Sequence, residues 1–315
     1  MCKHNSLHIV AGGAGFIGSH LCEYLLRRGK RVMVIDDLST GSIDNLRSMM
    51  SHPAFRFMHH DITLPFGIAD NVEAIYNLAC PASPKHYSKN PIKTFLTSVE
   101  GSKNLLDLAH KKHSTILLAS TSEVYGDPLS FPQYEEYFGN VNPVGERSCY
   151  DEGKRGAETL FSDYHRIEGT DTRIIRIFNT YGPRMSCSDG RVIPTLINQA
   201  LTGEDMTIYG TGKQTRSFMY ISDLIDGIYR MMHRGVPNFP VNLGNPNEIS
   251  INQLVSLIKE MTGSLSNVIF HPLPPDDPKR RCPDISKALS LLSGWRPKVD
   301  LDNGLMLTID YFRSK

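Results

Sequence analysis

The sequence predicts an α/β protein built on a doubly wound parallel sheet, with a smaller C-terminal α/β domain. Three observations predict it. Short apolar segments alternate with helical periodicity in the first half, glycines separate the first strand from the first helix, and an aspartate ends the second strand. After about residue 181, prolines punctuate shorter elements. We therefore predict a dinucleotide-binding domain over residues 1–181 and a mainly substrate-binding domain over residues 182–315, some segments of which return to the first.

Each element of the first half follows from a local pattern. Apolar runs bounded by turn residues are typical of buried parallel strands, and apolar residues three and four positions apart are typical of helices. The predicted strands cover residues 7–11, 31–35, 55–59, 74–78, 115–119 and 172–177. The predicted helices cover residues 19–28, 92–111 and 151–168, and Gly29 is a plausible cap for the first of them.

A glycine-rich turn joins the first predicted strand to the first predicted helix. Gly12, Gly15 and Gly18 occupy this turn. Glycine permits a tight turn and close approach of a pyrophosphate, and the helix N-terminus that follows supplies free amides and a partial positive charge. This context predicts a Rossmann-type sheet that binds a dinucleotide. A glycine-rich turn with a purely structural role is the alternative.

An acidic residue at the end of the second strand indicates which dinucleotide is bound. Asp36 is placed to accept both adenosine ribose hydroxyls, and its charge would repel a 2′-phosphate, so we predict NAD rather than NADP. Asp37 follows directly. One of these two aspartates could instead cap the turn that comes next, which consists of Ser39, Thr40 and Gly41.

Charge and cysteine content argue against several classes of protein. The chain has 34 Lys and Arg against 33 Asp and Glu, so no overall field attracts nucleic acid or an anionic membrane. Its scattered cysteines argue against a zinc site or a disulfide framework. No apolar run approaches the roughly 20 residues of a membrane span, and the polar stretch before Leu7 leaves no room for a signal peptide. We expect a cytoplasmic protein without a metal. The cysteines are Cys2, Cys22, Cys80, Cys149, Cys187 and Cys282.

A tyrosine and a lysine four residues apart carry the predicted chemistry. Tyr150 and Lys154 would lie on one face of a helix, so the ammonium group could hold the phenol as a phenolate near neutral pH. A phenolate beside a nicotinamide is a base for hydride transfer. Because amphipathic helices also produce this spacing by chance, the pair needs support from the rest of the chain.

Longer motifs carry a family resemblance that covers nearly the whole chain. They comprise residues 119–128 (ASTSEVYGDP), 141–143 (VNP), 149–155 (CYDEGKR), 177–185 (IFNTYGPRM) and 189–192 (DGRV). Together they resemble the UDP-glucuronate decarboxylases among the extended short-chain dehydrogenase/reductases. Four positions depart from the family pattern where cofactor or substrate is expected, and these are Cys80, Leu96, Ser98 and Ser186.

The resemblance implies a redox-neutral decarboxylation of UDP-glucuronate to UDP-xylose through a 4-keto sugar, with tightly held NAD. It makes Tyr150 the base, supported by Lys154. Thr121 would share the proton and Glu123 would orient the sugar. Asp61 and Ile62 would bracket the adenine. The predicted cofactor contacts are Gly12, Gly15, Phe16, Ile17, Gly18, Asp36, Asp37, Ser39, Thr40, Gly41, Asp61, Ile62, Leu78, Ala79, Thr97 and Thr180.

An anionic sugar nucleotide predicts cations in the second domain. Arginine suits the task because its planar fork donates two parallel hydrogen bonds to phosphate or carboxylate oxygens. The resemblance assigns Arg216 to the pyrophosphate and Arg281 to the diphosphate or the carboxylate, with Arg280 as the alternative to Arg281. A solvated surface charge remains the alternative for any single arginine. The predicted substrate contacts are Asn104, Asn179, Arg184, Arg191, Tyr209, Gln214, Arg216 and Arg281.

One residue separates this reaction from that of the closest competitor, the nucleotide-sugar 4,6-dehydratase. Dehydratases carry Thr-Asp-Glu where this chain has Thr121, Ser122 and Glu123. An aspartate can protonate a departing hydroxyl, whereas a serine is too weak an acid. A 4-epimerase and a non-catalytic NAD-binding sensor are further alternatives. The resemblance also implies a homodimer, in which helices near residues 97–111 and 150–168 pair across the interface.

Overall fold

A seven-stranded sheet forms the centre of the fold in a computed structural model that describes residues 6–187, 189–272 and 281–315. All neighbouring strands of this sheet are parallel. Numbered in chain order, the strands of the protein are β1 (Leu7–Ala11), β2 (Arg31–Asp36), β3 (Phe55–His59), β4 (Val72–Asn77), β5 (Thr115–Thr121), β6 (Thr172–Ile177), β7 (Thr180–Tyr181), β8 (Met206–Tyr209), β9 (Thr215–Ser217), β10 (Met219–Tyr220), β11 (Pro240–Leu243), β12 (Glu248–Ser250) and β13 (Val268–His271).

The strand order of the central sheet is β11-β6-β5-β4-β1-β2-β3. This order reverses between β4 and β1, and ligands of open α/β sheets bind outside the carboxyl ends of the strands at such a point. The remaining strands form three small pairs, β7 with β10, β8 with β13 and β9 with β12. The prediction of a doubly wound parallel sheet is confirmed.

Helices cover both faces of the sheet. They are α1 (Phe16–Arg27), α2 (Pro84–Tyr87), α3 (Pro91–Lys112), α4 (Ser148–Glu168), α5 (Val192–Thr202), α6 (Ile221–Arg234), α7 (Ile251–Thr262), α8 (Ser286–Leu291) and α9 (Leu301–Arg313). Successive side chains of β5 point to opposite faces, so Leu117 packs in the core with α1 and α6 while Ile116 and Leu118 pack with α3 and α4. Both faces of the sheet are therefore buried, as the continuous apolar runs predicted.

Element boundaries differ from the predictions by a few residues at the sites that matter for function. β5 extends to Thr121, and a 3-10 turn over Ser122–Tyr125 follows it at once. α1 begins at Phe16 rather than at residue 19, because Gly15 itself occupies the N-cap position. α4 begins at Ser148 rather than at residue 151, so Tyr150 lies in its first turn.

The sequence analysis predicted no membrane-spanning segment and no metal site. None of the helices within residues 6–187, 189–272 and 281–315 combines the length and apolar content needed to cross a lipid bilayer. Over the same ranges, no three His, Cys, Asp or Glu side chains are grouped to hold a metal ion. The described cysteines are free thiols, and Cys2 lies outside the described residues.

A buried ion pair anchors the strand end that carries the predicted catalytic residues. Glu158 of α4 accepts hydrogen bonds from Nε and Nη2 of Arg176 at 3.0 and 2.7 Å, and from the Ser120 hydroxyl at 2.6 Å. Arg176 also donates to the hydroxyl of Tyr125 at 3.0 Å. The pair thus connects α4, β5 and β6 with the 3-10 turn.

Glu158→Gln is expected to lower the free energy of unfolding by about 3 kcal/mol, because it leaves the buried Arg176 without its counter-charge. Both side chains are less than 15% exposed. Urea denaturation measures the change. Arg47→Gln is the control, since that arginine is 82% exposed in its pair with Asp44 and its loss should change stability by less than about 0.5 kcal/mol. Equal losses in the two variants would contradict the anchoring role.

Candidate active site

Tyr150 lies buried in the first turn of α4, with 6% of its surface exposed. Its hydroxyl lies close to the side chain of Thr121 at the end of β5. Its ring stacks on that of Tyr87 in α2, with centroids 5.2 Å apart and planes within 6°. The structure therefore brings the predicted base and Thr121 together, and it adds an aromatic neighbour that the sequence did not predict.

The hydrogen bond that Lys154 donates goes to a backbone carbonyl and not to the phenol of Tyr150, beside which the sequence analysis placed it. Its Nζ donates to the carbonyl oxygen of Ala119 at 2.9 Å and lies 6.0 Å from the centroid of the Tyr150 ring. Burial raises the pKa of Tyr150 and lowers the pKa of Lys154, because both groups are enclosed. The predicted lowering of the Tyr150 pKa by Lys154 together with a cationic nicotinamide ring stays a prediction. The carbonyl oxygen of Ala119, near the end of β5, is the atom that binds the ammonium group of Lys154.

Glu123 is held between two arginines. Its carboxylate pairs with Nη1 and Nη2 of Arg281 at 2.7 and 3.0 Å, and with Nη2 of Arg147 at 2.7 Å. Arg147 precedes α4, whereas Arg281 precedes α8, so the cluster joins distant parts of the chain. Such fork-shaped pairs are strong and directional. Glu123 and Arg281, predicted separately, thus form one site, and Arg147 is a residue that the sequence analysis missed.

Asp151 is a second missed residue of this region. It follows Tyr150, is 7% exposed, and its Oδ1 accepts no hydrogen bond among the described residues. Burial, followed by the charge of Glu123, raises the pKa of Asp151 to about 7 against the opposing charges of Arg147 and Arg281. The available sequence signal was the spacing of four between Arg147 and Asp151, which makes them neighbours on a helix surface.

The glycine turn after β1 has no room for side chains. A Cβ on Gly12, whose φ is +77°, would lie 2.7 Å from the carbonyl carbon of Leu78 and 2.8 Å from the backbone of Ala79. A Cβ on Gly18 would lie 2.2 Å from the Gly12 oxygen. Gly15 caps α1 without a side-chain hydrogen bond, and the first turn of α1 has no acidic residue. This end of α1 therefore fits a pyrophosphate. The first residues of α1 are Phe16 and Ile17.

The two aspartates after the glycine turn have different partners. Asp36 ends β2, and its Oδ2 and Oδ1 accept the backbone N–H groups of Ala14 and Leu38, each at 2.8 Å. A carboxylate has about four acceptor positions, so these bonds leave capacity for ribose hydroxyls. Asp37 accepts the N–H of Ser39 at 3.0 Å and thus caps the turn, which was the predicted alternative for one of the pair. The turn continues through Thr40 and Gly41.

The segment predicted to bracket the adenine is tied to α3. The Asp61 carboxylate is bound by Lys93 and by the N–H of Thr63 at 2.9 Å, and Ile62 is buried. Nδ2 of Asn104 donates to the Ile62 carbonyl at 2.9 Å. Asn104 therefore ties this segment to α3, and its role as a substrate contact stays a prediction.

Two predicted threonines and one asparagine lie close to the sheet. The hydroxyl of Thr97 donates to the carbonyl of Lys93 at 2.8 Å, and that of Thr180 to the carbonyl of Phe178 at 3.0 Å. The carbonyl of Asn179 accepts a backbone hydrogen bond from β10 at 2.9 Å. The first contact lies within α3 and the other two fix the backbone around β7, while the cofactor and substrate roles of the three side chains stay predictions.

The predicted arginines do not all gather at one place. Nη2 of Arg184 pairs with Glu23 of α1 at 2.7 Å, so this arginine lies against the helix of the glycine turn and apart from the Glu123 cluster. Its predicted role as a cation that binds the sugar nucleotide stays a prediction. Arg191 pairs with the buried Asp189 just before α5. The sequence alone does not show that Glu23 and Asp189 are the ion-pair partners of these two arginines.

The other predicted substrate residues lie along β8 and β9. Arg216 is 8% exposed, and the next residue of β9 donates to the carbonyl of Arg281 at 3.4 Å, which places these two segments side by side. Gln214 donates its side-chain amide to the Tyr209 carbonyl at 2.6 Å and so closes the turn between them, while Tyr209 is half exposed. Arg280 lies outside the described residues.

The fold and this site define an extended short-chain dehydrogenase/reductase. A glycine turn follows β1, an aspartate ends β2, and a buried tyrosine and lysine of α4 meet the end of β5. The family model described as GDP-mannose 4,6 dehydratase matches residues 9–308.

Three known proteins show which branch is involved. UDP-glucuronic acid decarboxylase 5 of Arabidopsis thaliana is 52% identical over 313 residues, which cover 99% of this chain and 91% of that protein. UDP-glucuronic acid decarboxylase 1 of Xenopus tropicalis is 51% identical over 98% of this chain and 72% of its own length. The solved UDP-glucuronic acid 4-epimerase of Bacillus cereus, in complex with UDP-glucuronic acid and NAD, is 28% identical with a TM-score of 0.88, over 98% and 99% of the two chains. The chain belongs to the UDP-glucuronic acid decarboxylases within the GDP-mannose 4,6 dehydratase family.

Proposed function

We propose that this chain decarboxylates UDP-glucuronate to UDP-xylose with bound NAD and no net oxidation. The observation that carries the proposal is the position of two arginines, Arg147 and Arg281, in one cluster with Glu123 near the buried Tyr150. An anionic sugar needs cations at this place, whereas a neutral hexose does not. The identity of about 52% to proteins named UDP-glucuronic acid decarboxylases supports the same substrate.

The glycine turn and Asp36 are the groups that would hold NAD. The cradle that a Cβ on Gly12 or Gly18 would fill, the uncapped start of α1 and the carboxylate at the end of β2 fit a dinucleotide. When bound, NAD supplies the acceptor for a hydride from carbon 4 of the sugar and gives that hydride back to the same carbon. The protein's own residues move the protons and position the sugar.

Tyr150 is the residue that accepts the proton of the 4-hydroxyl group. The Thr121 side chain lies close to this phenol, so the two hydroxyls can share that proton. Lys154, held on the Ala119 carbonyl, keeps a positive charge 6.0 Å from the ring and favours the phenolate through space. Burial excludes water from this exchange.

Loss of carbon dioxide needs no acid on the leaving group. With a ketone at carbon 4, the sugar is a β-keto acid, and the electrons of the bond to its carboxylate move into an enolate as carbon dioxide departs. A proton is then added at carbon 5. Ser122, buried between Thr121 and Glu123, fits this chemistry, because a dehydratase would need an acid at that position.

Gly18→Ala is expected to weaken NAD binding about 100-fold. The new methyl group would press on the backbone of the glycine turn, and relief of such overpacking costs about 2–3 kcal/mol. Calorimetric titration with NAD measures the affinity. Gly67→Ala is the matched control, since nothing lies within 4 Å of a Cβ at that position. Unchanged affinity in Gly18→Ala would exclude this turn as the site for the pyrophosphate.

Proton NMR of the sugar tests the proposed reaction. The purified protein is incubated with UDP-glucuronate, without and with added NAD, and the expected product is UDP-xylose. Formation of UDP-galacturonate instead would identify a 4-epimerase. Intact UDP-glucuronate, together with conversion of dTDP-glucose to a 4-keto-6-deoxy sugar, would identify a dehydratase.

Three further proposals concern the oligomeric state, the domain boundary and the cellular location. We propose a homodimer through α3 and α4, which is supported by exposed apolar side chains at Ile92, Phe95 and Leu96 of α3 and at Ile167 of α4. Light scattering would detect a monomer if this is wrong.

We also propose two domains that divide at residue 181, with some later segments returning to the first. The return is supported by β11, which lies beside β6 in the central sheet. The cytoplasmic location stays a prediction from the cysteine pattern.

A further inference from the structure

Asp151 is a buried carboxyl group for which the mechanism above has no use. It lies in the first turn of α4, directly after Tyr150, and is more than nine-tenths buried. Its Oδ1 accepts no hydrogen bond from the described part of the chain. Burying a carboxylate oxygen without a partner is costly, so a purely structural role would disfavour an acid here. The hydroxyl of Tyr87 is a second buried atom without a described partner, and the charge of Asp151 acts on it.

Charged groups from several elements face this carboxyl. Glu123 comes from the turn after β5, Arg147 from the residue before α4, and Arg281 from the segment before α8, and all three act electrostatically on Asp151. Glu152, the next residue of the helix, also acts on it. The two arginines are joined to each other through Glu123. Asp151 is therefore the member of this cluster whose charge is not fixed by a close ion pair.

The protonation of Asp151 sets the net charge of the cluster. With Asp151 neutral, two guanidinium groups oppose one carboxylate and the cluster is cationic. With Asp151 ionised, the cluster is neutral. Burial raises the pKa of Asp151 to about 7, so both forms are populated near neutral pH and a nearby anion shifts the balance towards the neutral acid.

We propose that Asp151 takes up a proton when the carboxylate of the sugar binds beside Arg147 and Arg281. This inference rests on the proposed function, which supplies the anionic substrate. The uptake keeps the cluster cationic towards the incoming anion. The uptake also matches the proton balance of decarboxylation. Breaking the bond from carbon 5 to the carboxylate leaves its electron pair in the enolate. Forming the new bond from carbon 5 to hydrogen then consumes one proton. Asp151 is thus a positioning residue, whose proton keeps the charge of the cluster suited to the sugar carboxylate.

Calorimetry in two buffers tests the inference. UDP-glucuronate is titrated at pH 7 into the NAD-loaded protein carrying Tyr150→Phe, which suppresses turnover, in phosphate and in Tris. The difference in heat between the buffers gives the number of protons taken up. We expect about half a proton per site, because a carboxyl half protonated before binding becomes fully protonated. UDP-glucose, which has the same diphosphate and no carboxylate, should cause almost none.

Two further variants identify the group that takes up the proton. Adding Asp151→Asn, which keeps the shape of the side chain, should abolish the uptake and remove the decline in UDP-glucuronate affinity above pH 7, which approaches tenfold per pH unit in the parent. Adding Asp163→Asn, which removes a carboxylate of the same helix that pairs with Arg166 and does not act on Asp151, should leave the uptake unchanged. Affinity for UDP serves as the folding check for both variants.

The possible results separate this inference from the proposed function. Uptake that persists with Asp151→Asn, or that is equal for UDP-glucose, overturns the inference. Decarboxylation by the unmodified protein without linked uptake also overturns it and leaves the proposed function standing. Linked uptake that requires Asp151, in a protein that forms no UDP-xylose, supports the inference and overturns decarboxylation.

Discussion

Tyr150→Phe is expected to lower kcat for UDP-glucuronate by about 10³-fold, within the range that general acid–base catalysis contributes. The substitution removes only the hydroxyl, which lies close to the side chain of Thr121. The ring that stacks on Tyr87 remains, so the fold and the shape of the pocket should be preserved. Steady-state kinetics with NMR detection of UDP-xylose measures the change, and KM should stay within about threefold of the parent value because the lost group acts on the transition state.

A second tyrosine of α4 provides the control for this experiment. Tyr164 lies on the same helix, and its hydroxyl binds Asp107 at 2.5 Å on the protein surface. Tyr164→Phe should therefore retain full activity. If Tyr150→Phe keeps more than a tenth of the parent kcat, a different group accepts the proton, and the pairing of Tyr150 with Thr121 has another purpose.

The parts of the fold that depend on local patterns could be predicted from the sequence. The strands over Leu7–Ala11 and Phe55–His59 have the predicted bounds, because each is an apolar run between turn residues. The glycine turn was predictable for a related reason. A backbone that must pass within 3 Å of its neighbours tolerates only glycine, so the steric requirement is visible in the residue type itself.

The partners within the site could not be predicted in the same way. The pair of Glu123 and Arg281 joins residues that only the folding of the second half brings together, and local sequence carries no record of that distance. The contact of Lys154 with Ala119 depends on how closely α4 approaches the end of β5. The i to i+4 spacing predicted correctly that Tyr150 and Lys154 lie on one helix, but it did not show that the carbonyl of Ala119 binds the ammonium group.

The two arginines of the Glu123 cluster differ in their position in the chain and in their contacts with Glu123. Arg147 is attached to the catalytic helix and makes one short contact with Glu123, whereas Arg281 comes from the second half of the chain and makes two. The ion pair with Arg281 therefore links the part of the chain predicted to bind the substrate to the residues that move protons. A sugar carboxylate bound by these guanidinium groups would connect the same two parts of the chain only when the correct substrate is present.

Arg281→Ala is accordingly expected to lower kcat/KM for UDP-glucuronate by about 100-fold, which corresponds to a loss of about 3 kcal/mol for removing one partner of an enclosed ion pair. Affinity for UDP should fall by less than about threefold, since the structure pairs this arginine with Glu123 beside the catalytic turn.

The matched control removes an arginine of similar chemistry from another place. Arg313→Ala deletes a half-exposed arginine paired with Asp310 near the end of α9, and it should leave both parameters unchanged. Activity assays and calorimetric titration with UDP measure the two quantities for each variant. Because the free energy of a bound carboxylate is lost only when the substrate carries one, a drop in UDP affinity as large as the drop in kcat/KM would instead assign Arg281 to the diphosphate. In that case Arg147 would be the remaining described arginine of the Glu123 cluster able to receive the sugar carboxylate.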